Sequence, residues 1–280
     1  MNPVPQKQNL FVYNNFDLEL FFCREVLKLD SLHYGYWKAG EELNLKNLRR
    51  AQTRYTETLL TLVPKGVRSV LDVGCGVGDV ARALTKKGLD VVAISPDRNH
   101  QQFFDQDSQV RFCNVTFEEF ETDDRFDLVL MCESQNYFHA AAGLQQAVKH
   151  TKRGSHLLIS GMFRKGPGQE FKDVTNIESE YREKAEQHGF RLVKRFDITT
   201  QVLPTLRLSR EIMERYLEPA TRMLGHYLRA RSPVPQAILA LLLRKQVKDY
   251  RKALAYYTER TDAELFEKNV RYLQLLFKRV

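Results

Sequence analysis

The stretch Val70–Ala81, VLDVGCGVGDVA, constrains the fold more than any other, with glycines at 74, 76 and 78. A short apolar run, Ser69–Val73, ends in these alternate glycines, and a helical pattern starts at Asp79. Such a strand, turn and helix aims backbone N–H groups at the carboxyl edge of a parallel sheet, where open α/β folds bind ligands. A dinucleotide loop of the G-x-G-x-x-G type wants its third glycine at position 79, and position 79 is aspartate. Asp72, just before the glycines, would repel a pyrophosphate and suits a ligand with a positive end.

An alternation of strands and helices surrounds this loop. Residues 15–29 and Leu43–Val63 read as helices, the second ended by Pro64-Lys65-Gly66. Strands are expected at Ser69–Val73, Asp90–Ile94, Gln109–Phe112, Phe126–Met131, His156–Ser160 and Arg191–Ile198. Helices are expected between them at Asp79–Lys87, Ala140–Thr151 and Glu178–His188. This order argues for a mainly parallel α/β sheet covered on both faces. Residues 208–265 then read as helices broken at Arg231-Ser232-Pro233, a helical lid over the active edge. Asn269–Lys278 fits a closing strand or a helix equally. Three parts follow: a helical cap over 1–65, an α/β core over 66–200, and a lid with closing segment over 201–280.

Composition narrows the function classes. Apolar residues make up 43% of the 280, enough for a substantial core. The opening MNPVPQKQNLF lacks the basic and apolar regions of a secretory leader, and no 18-residue window is wholly apolar. Cys23, Cys75, Cys113 and Cys132 show no C-x-x-C spacing. Neither a metal site nor structural disulfides are expected, and a reducing cytoplasm fits. The net charge of +8 falls entirely in residues 201–280, where 16 Lys/Arg face 8 Asp/Glu. That basic part would attract an anionic small molecule, an acidic lipid surface or nucleic acid, or is simply a solvated face.

Asp72, Gly74, Gly76 and Gly78 match the first motif of the class I S-adenosylmethionine-dependent methyltransferases, which the chain resembles. The resemblance implies a Rossmann-like, seven-stranded sheet, and it makes Asp72, Gly74, Cys75, Gly76 and Gly78 contacts for the methionine end of S-adenosylmethionine. The second strand ends Ile94-Ser95-Pro96-Asp97-Arg98. It is similar to the "LSPxQ" variant of the tocopherol and cyclopropane-fatty-acid branches, with Arg98 where glutamine usually stands. Ser95, Asp97 or Arg98 would then reach the ribose, and Thr116 or Glu118 the adenine.

Two further stretches bear on the acceptor. Ser31-Leu32-His33-Tyr34-Gly35-Tyr36-Trp37 gathers four rings and the only tryptophan around one glycine. It resembles the "HxGYW" segment of small-molecule methyltransferases, which makes Tyr34 and Tyr36 cofactor or lid contacts and Trp37 an acceptor contact. Met131-Cys132-Glu133-Ser134-Gln135-Asn136-Tyr137-Phe138 follows the fourth strand. Glu133 there would orient the acceptor, take its proton, or stabilise a developing cation; a structural cap is the plain alternative. The stretch looks like the "MESGEH" or "FEH" segments of the tocopherol and mycolic-acid groups, but Asn136 stands where histidine would. Gln135, Asn136, Tyr137, Tyr216 and Tyr227 are candidate acceptor contacts, in a lid whose Met213, Met223, Leu224 and Leu228 favour a partly apolar molecule.

The expected activity is therefore methyl transfer to oxygen, nitrogen or carbon of a small molecule. A macromolecular methyltransferase and a non-catalytic S-adenosylmethionine-binding subunit are the alternatives. No N/D-P-P-Y/F tetrapeptide follows the fourth strand, and nucleic acid is not an expected partner. Oxidoreductase chemistry is disfavoured by the loop spacing, and no catalytic role is expected for His33 or His156.

Overall fold

The computed structural model describes residues 18–104, 109–168, 170–231 and 244–280. The expected 15–29 helix begins outside them; from Leu18 the chain makes a short helical turn, Leu18–Phe21, and a π turn, Phe22–Val26. Helix α1, Leu45–Leu60, opens where the Asn44 side chain accepts the Asn47 N–H at 2.9 Å. Then follow β1 (Ser69–Val73), α2 (Asp79–Lys86), β2 (Asp90–Ile94), β3 (Val110–Cys113), β4 (Phe126–Cys132) and α3 (Ala140–Lys149). The chain continues through β5 (Thr151–Arg164), α4 (Glu178–Gln187), β6 (Phe190–Asp197), α5 (Thr199–Ile212), a π turn at Met213–Leu217 and α6 (Glu218–Arg231). It ends in α7 (Arg244–Arg260), α8 (Ala263–Asn269) and β7 (Val270–Arg279).

These elements form one seven-stranded sheet in the order β3-β2-β1-β4-β5-β7-β6, the Rossmann-like arrangement expected. Strands β3 to β5 pair in parallel, and β7 runs antiparallel to both β5 and β6. The strand order reverses between β1 and β4, so a crevice opens at their carboxyl ends. Period-two alternation sorts side chains to two faces. Val70, Ala93, Leu128, Leu130, Leu158 and Tyr272 meet α1, α2, α5 and α8 on one. Leu71, Val73, Val129, Met131, Ile159 and Leu275 meet α3 and α4 on the other.

Two expectations change. Strand β5 is 14 residues long rather than five, because Gly161–Arg164 pair with Leu273–Val270 of β7, a partner over a hundred residues away. The segment left open between helix and strand is β7, and Tyr272 to Phe277 are buried on both of its faces. The lid helices start earlier than residue 208, at Thr199, and of the expected break Ser232 and Pro233 lie outside the described residues.

Tyr181 of α4 packs edge-on against Phe163, ring centres 5.4 Å apart, and its buried hydroxyl has no hydrogen-bond partner among the described residues. An unpaired buried hydroxyl costs free energy that phenylalanine avoids. Tyr181→Phe is therefore expected to raise the unfolding free energy by about 1 kcal/mol in urea denaturation; a loss of that size would show the hydroxyl to be bonded.

Candidate active site

Gly74, Gly76 and Gly78 carry φ values of 74°, 53° and 77°, the left-handed region that glycine enters without strain. A Cβ on Gly74 would lie 2.4 Å from Ser134 Cβ, and one on Gly78 2.5 Å from the Phe104 ring. Over Gly76 the nearest atom is Leu32 Cδ1 at 3.9 Å, so this glycine alone offers its backbone to an approaching ligand. The turn is pinned by Gly74 N and Cys75 N, which both donate to Ile94 O at 2.9 and 3.1 Å.

Asp72 sits beneath this turn, 1% exposed, and neither carboxylate oxygen has a hydrogen-bond partner among the described residues. Burial pushes its carboxyl up to about 7, and the neighbouring charge of Asp79 adds to that. A carboxylate so placed is costly unless a donor or cation completes it. Asp79, the first residue of α2, has partners instead. It accepts from Ser31 Oγ at 2.6 Å and from His33 Nε2 at 2.9 Å. His33 Nδ1 also donates to the carbonyl oxygen of Tyr34 at 2.7 Å. With acceptors on both ring nitrogens, His33 is an imidazolium, and the ring stacks on Tyr55 with centroids 4.3 Å apart.

His33 and Asp79 thus latch residues 31–37 over the glycine loop. Gln52 Nε2 donates to Ser31 O and His33 O at 3.0 and 2.8 Å, and Gly35 N and Trp37 Nε1 both donate to Thr205 Oγ1, at 3.0 and 2.9 Å. Tyr34 N donates to Glu133 Oε1 at 3.0 Å. Glu133 follows β4 with φ 62°, a left-handed conformation held by its own N–H on Ser160 O at 2.7 Å. Burial pushes the Glu133 carboxyl up, while His33 and the Tyr272 hydroxyl, which donates to Oε1, pull it back. Three carboxylates, Asp72, Asp79 and Glu133, therefore gather at one sheet edge, and the His33 imidazolium acts on two of them, Asp79 and Glu133.

The expected ribose and adenine residues follow β2 and β3 along the same edge. Ser95 Oγ lies 2.8 Å from His100 Nδ1 and accepts from Asp97 N at 3.2 Å; Asp97 Oδ1 caps Asn99 N at 2.8 Å; Arg98 is exposed. Thr116 donates to Glu119 Oε2 at 3.1 Å, and Glu118 is exposed. Tyr34 and Tyr36 pack at the rim of the first core face.

The acceptor candidates fare differently. Trp37, expected at the acceptor, is buried among Leu29, Leu48, Ala51 and Leu208, where it anchors the N-terminal segment. Gln135 and Asn136 both donate to Met162 O at 3.0 Å, and Asn136 Oδ1 accepts from Asn176 N at 3.2 Å. These amides brace the loop against β5 rather than stand free for an acceptor, although Gln135 Oε1 stays buried and unpaired. Tyr137 is exposed, as are Tyr216 and Tyr227, whose ring contacts are with Arg215 and Arg231 of their own helical stretch. Sequence reasoning passed over His33, Asp79, Tyr55, Thr205 and Tyr272; the aspartate in place of the third glycine was the one available signal.

The latch sets a stability profile. His33 is held above its ordinary value of 6.5 by Asp79, against the pull of burial, so its contribution is complete below pH 6.5 and fades as pH rises through the folded value. Asp79 is lowered below 3.8 by His33 and Ser31, which outweigh its own burial, so its contribution is complete above pH 3.8 and fades on acidification. Both are full between those values. His33→Ala is expected to cost about 3 kcal/mol near pH 5.5 and clearly less at pH 9, in urea denaturation followed across pH. A pH-independent loss would mean that the ion pair contributes nothing beyond packing.

A family model described as "Methyltransferase domain" matches residues 47–202. A probable chloroplastic tocopherol O-methyltransferase of Oryza sativa subsp. japonica is 32% identical over 120 residues, covering 38% of this chain and 33% of that protein. The ubiquinone biosynthesis O-methyltransferase of Rickettsia typhi is 25% identical over 146 residues, covering 49% and 59%. The chain thus spans between a third and three fifths of these relatives' lengths. Among solved structures, a putative sarcosine dimethylglycine methyltransferase from Galdieria sulphuraria superposes with a TM-score of 0.68 at 16% identity, covering 94% of this chain and 98% of that one. Geranyl diphosphate C-methyltransferase from Streptomyces coelicolor A3(2), in complex with Mg2+, geranyl diphosphate and S-adenosyl-L-homocysteine, gives 0.63 at 17% identity and 92% of each chain. These two likenesses show the fold alone; the family match covers more than half of the chain, which belongs to the methyltransferase-domain family.

Proposed function

We propose that this protein transfers a methyl group from S-adenosylmethionine to a small, partly apolar molecule. The observation that carries the reading is Asp72, a buried carboxylate without a partner among the described residues, beneath three glycines of positive φ. A cofactor with a cationic end satisfies it, and the open space over Gly76 admits close backbone approach. The relatives named as O-methyltransferases, and the neighbour bound to S-adenosyl-L-homocysteine, support this choice. When bound, S-adenosylmethionine supplies a methyl on a sulfonium, already activated for transfer. The protein has then to align the acceptor and exclude water. Residues 31–37 cover the loop, Ser95, Asp97, Arg98 and Thr116 line the nucleoside side, and Glu133 stands at the acceptor side. Glu133 would take the acceptor's proton during that transfer. The cap, core and lid of residues 1–65, 66–200 and 201–280 divide this work, in a reducing cytoplasm.

Cofactor affinity should follow the ionisation of Asp72. A proton on Asp72 competes with the cationic end, so binding strengthens as pH rises through about 7. Calorimetric titration with S-adenosylmethionine is expected to show about a tenfold loss of affinity from pH 8 to pH 6. Asp72→Asn should bind weakly at pH 8 and lose that slope; a flat wild-type profile would sink this assignment.

We also read the basic C-terminal helices as a peripheral contact with an anionic lipid surface. Tyr216, Met223, Leu224 and Tyr227 share one helical face and are 56% to 71% exposed. Arg215 and Arg222 flank that face, in surface pairs with Glu211 and Glu218 that anionic headgroups readily replace. Co-sedimentation with phosphatidylglycerol-containing vesicles, but not with phosphatidylcholine alone, is expected, reduced by salt and by Met223→Glu with Leu224→Glu. Equal binding to neutral vesicles, or a dimer dissolved by those substitutions, would assign the face elsewhere.

A further inference from the structure

Glu133 is held by more than its own loop. Both of its side-chain hydrogen bonds fall on Oε1, from Tyr34 N and from the Tyr272 hydroxyl, and Oε2 has no hydrogen-bond partner among the described residues. Tyr272 comes from β7, the antiparallel strand inserted beside β5, and it is fully buried. Its hydroxyl lies 2.8 Å from the Tyr55 hydroxyl of α1, which lies 2.6 Å from Ser160 Oγ of β5 and 3.4 Å from Cys132 Sγ.

The directions of these bonds are determined. A carboxylate oxygen only accepts, so Tyr272 donates to Glu133. Tyr272 then has its lone pairs left for Tyr55, which donates to it, and Tyr55 in turn accepts from Ser160. Each hydroxyl gives its proton to the next, in a chain running Ser160, Tyr55, Tyr272, Glu133. In a buried setting such a chain polarises each member toward the next. Its end is a carboxylate with one oxygen fixed and the other left over.

From this arrangement we infer that Tyr272 is a positioning residue: it fixes Oε1 of Glu133 so that Oε2 remains to take the acceptor's proton during methyl transfer, with Tyr55 and Ser160 holding Tyr272 in turn. This rests on the methyl-transfer reading above. The step balances: the acceptor atom bonds the methyl carbon, the bond from that carbon to sulfur breaks with its electrons going to sulfur, and the acceptor's proton goes to Oε2. Tyr272 keeps its own proton throughout, since its hydroxyl is pushed well above its ordinary value by burial and then by the Glu133 charge.

The consequence is a pH profile. The groups facing Glu133 are His33 from the N-terminal segment, Tyr55 from α1, Cys132 from β4, Tyr272 from β7 and, more distantly, Arg260 from α7. His33, Arg260 and the Tyr272 bond favour the carboxylate, whereas burial opposes it. Removing the Tyr272 hydroxyl takes away one stabilising bond, so the proton acceptor works only at higher pH.

The test uses methyl-labelled S-adenosylmethionine, an extract of the source cells as the supply of acceptors, and label counted in small-molecule fractions from pH 6 to pH 9. Tyr272→Phe is expected to lower transfer about tenfold at pH 6.5 and by less than about twofold at pH 8.5, with S-adenosylhomocysteine binding unchanged. Glu133→Gln should lose about a hundredfold at every pH, and the double variant should lose no more, because Tyr272 acts only through Glu133. Ser160→Ala, a milder cut at the far end of the chain, should shift the acid limb in the same direction and guards against a Tyr272 variant that fails to fold. A Tyr272→Phe profile parallel to wild type, or losses that add in the double variant, would overturn the inference. Absence of any transfer by wild type that binds S-adenosylhomocysteine would instead overturn the methyl-transfer reading, and this role with it.

Discussion

The contact between His33 and Asp79 decides whether the site exists in its closed form. Exposed ion pairs are worth about 1 kcal/mol or less, whereas breaking a buried one leaves an uncompensated charge and costs about 3 to 5 kcal/mol. Here the imidazole is buried and bonded at both nitrogens, so the larger figure applies. That pair joins the first turn of α2 to residues 31–37. From those residues the bonds spread to Glu133 after β4, to Gln52 of α1 and to Thr205 of α5. The N-terminal segment is thus the piece that ties the loop after β1 to the loop after β4, across the crevice where strand order reverses.

Charge balance explains why the three carboxylates behave differently, Asp72 being buried and Asp79 and Glu133 partly so. Asp79 gains a cation and a hydroxyl and is drawn down. Glu133 gains a hydroxyl, a backbone N–H and the more distant imidazolium, which offset part of its burial. Asp72 gains nothing and is pushed up to about 7. The His33 imidazolium serves Asp79 and Glu133, with Arg260 farther from Glu133, and the unmet demand for positive charge is concentrated on Asp72. An anionic ligand such as a pyrophosphate would worsen that imbalance, and a cationic one removes it.

How far the sequence reveals this depends on the distance over which each feature is decided. The glycine loop is local: three positive-φ positions within five residues, a strand before and a helix after, so its fold and ligand class were readable from twelve letters. Strands β1 to β4 were readable for the same reason, each being a short apolar run between turn residues. The length of β5 and the identity of β7 were not, because both depend on pairing between residues 161–164 and 270–273. Trp37 shows the limit of local composition. A ring cluster with the only tryptophan suggests a ligand wall, yet the indole finds its hydrogen-bond partner, Thr205, within the protein and a bed of leucines beside it. Local composition does not distinguish a ring that lines a pocket from one that anchors a segment.

The two halves of the site therefore differ in kind. The cofactor half is built from one contiguous motif and needs only a twisted parallel sheet to present it. The proposed acceptor half would draw on Glu133 after β4, Tyr272 from β7, Tyr55 from α1 and the backbone of Tyr34 from the N-terminal segment, four stretches that meet only when the whole chain is packed. Methyl transfer from a sulfonium asks little covalent chemistry of the protein, so few residue types are dictated on the acceptor side and no short motif records them. What the fold does dictate there is geometry. A left-handed residue at the end of β4 points one carboxylate inward, and β7, inserted antiparallel, delivers the hydroxyl that holds it.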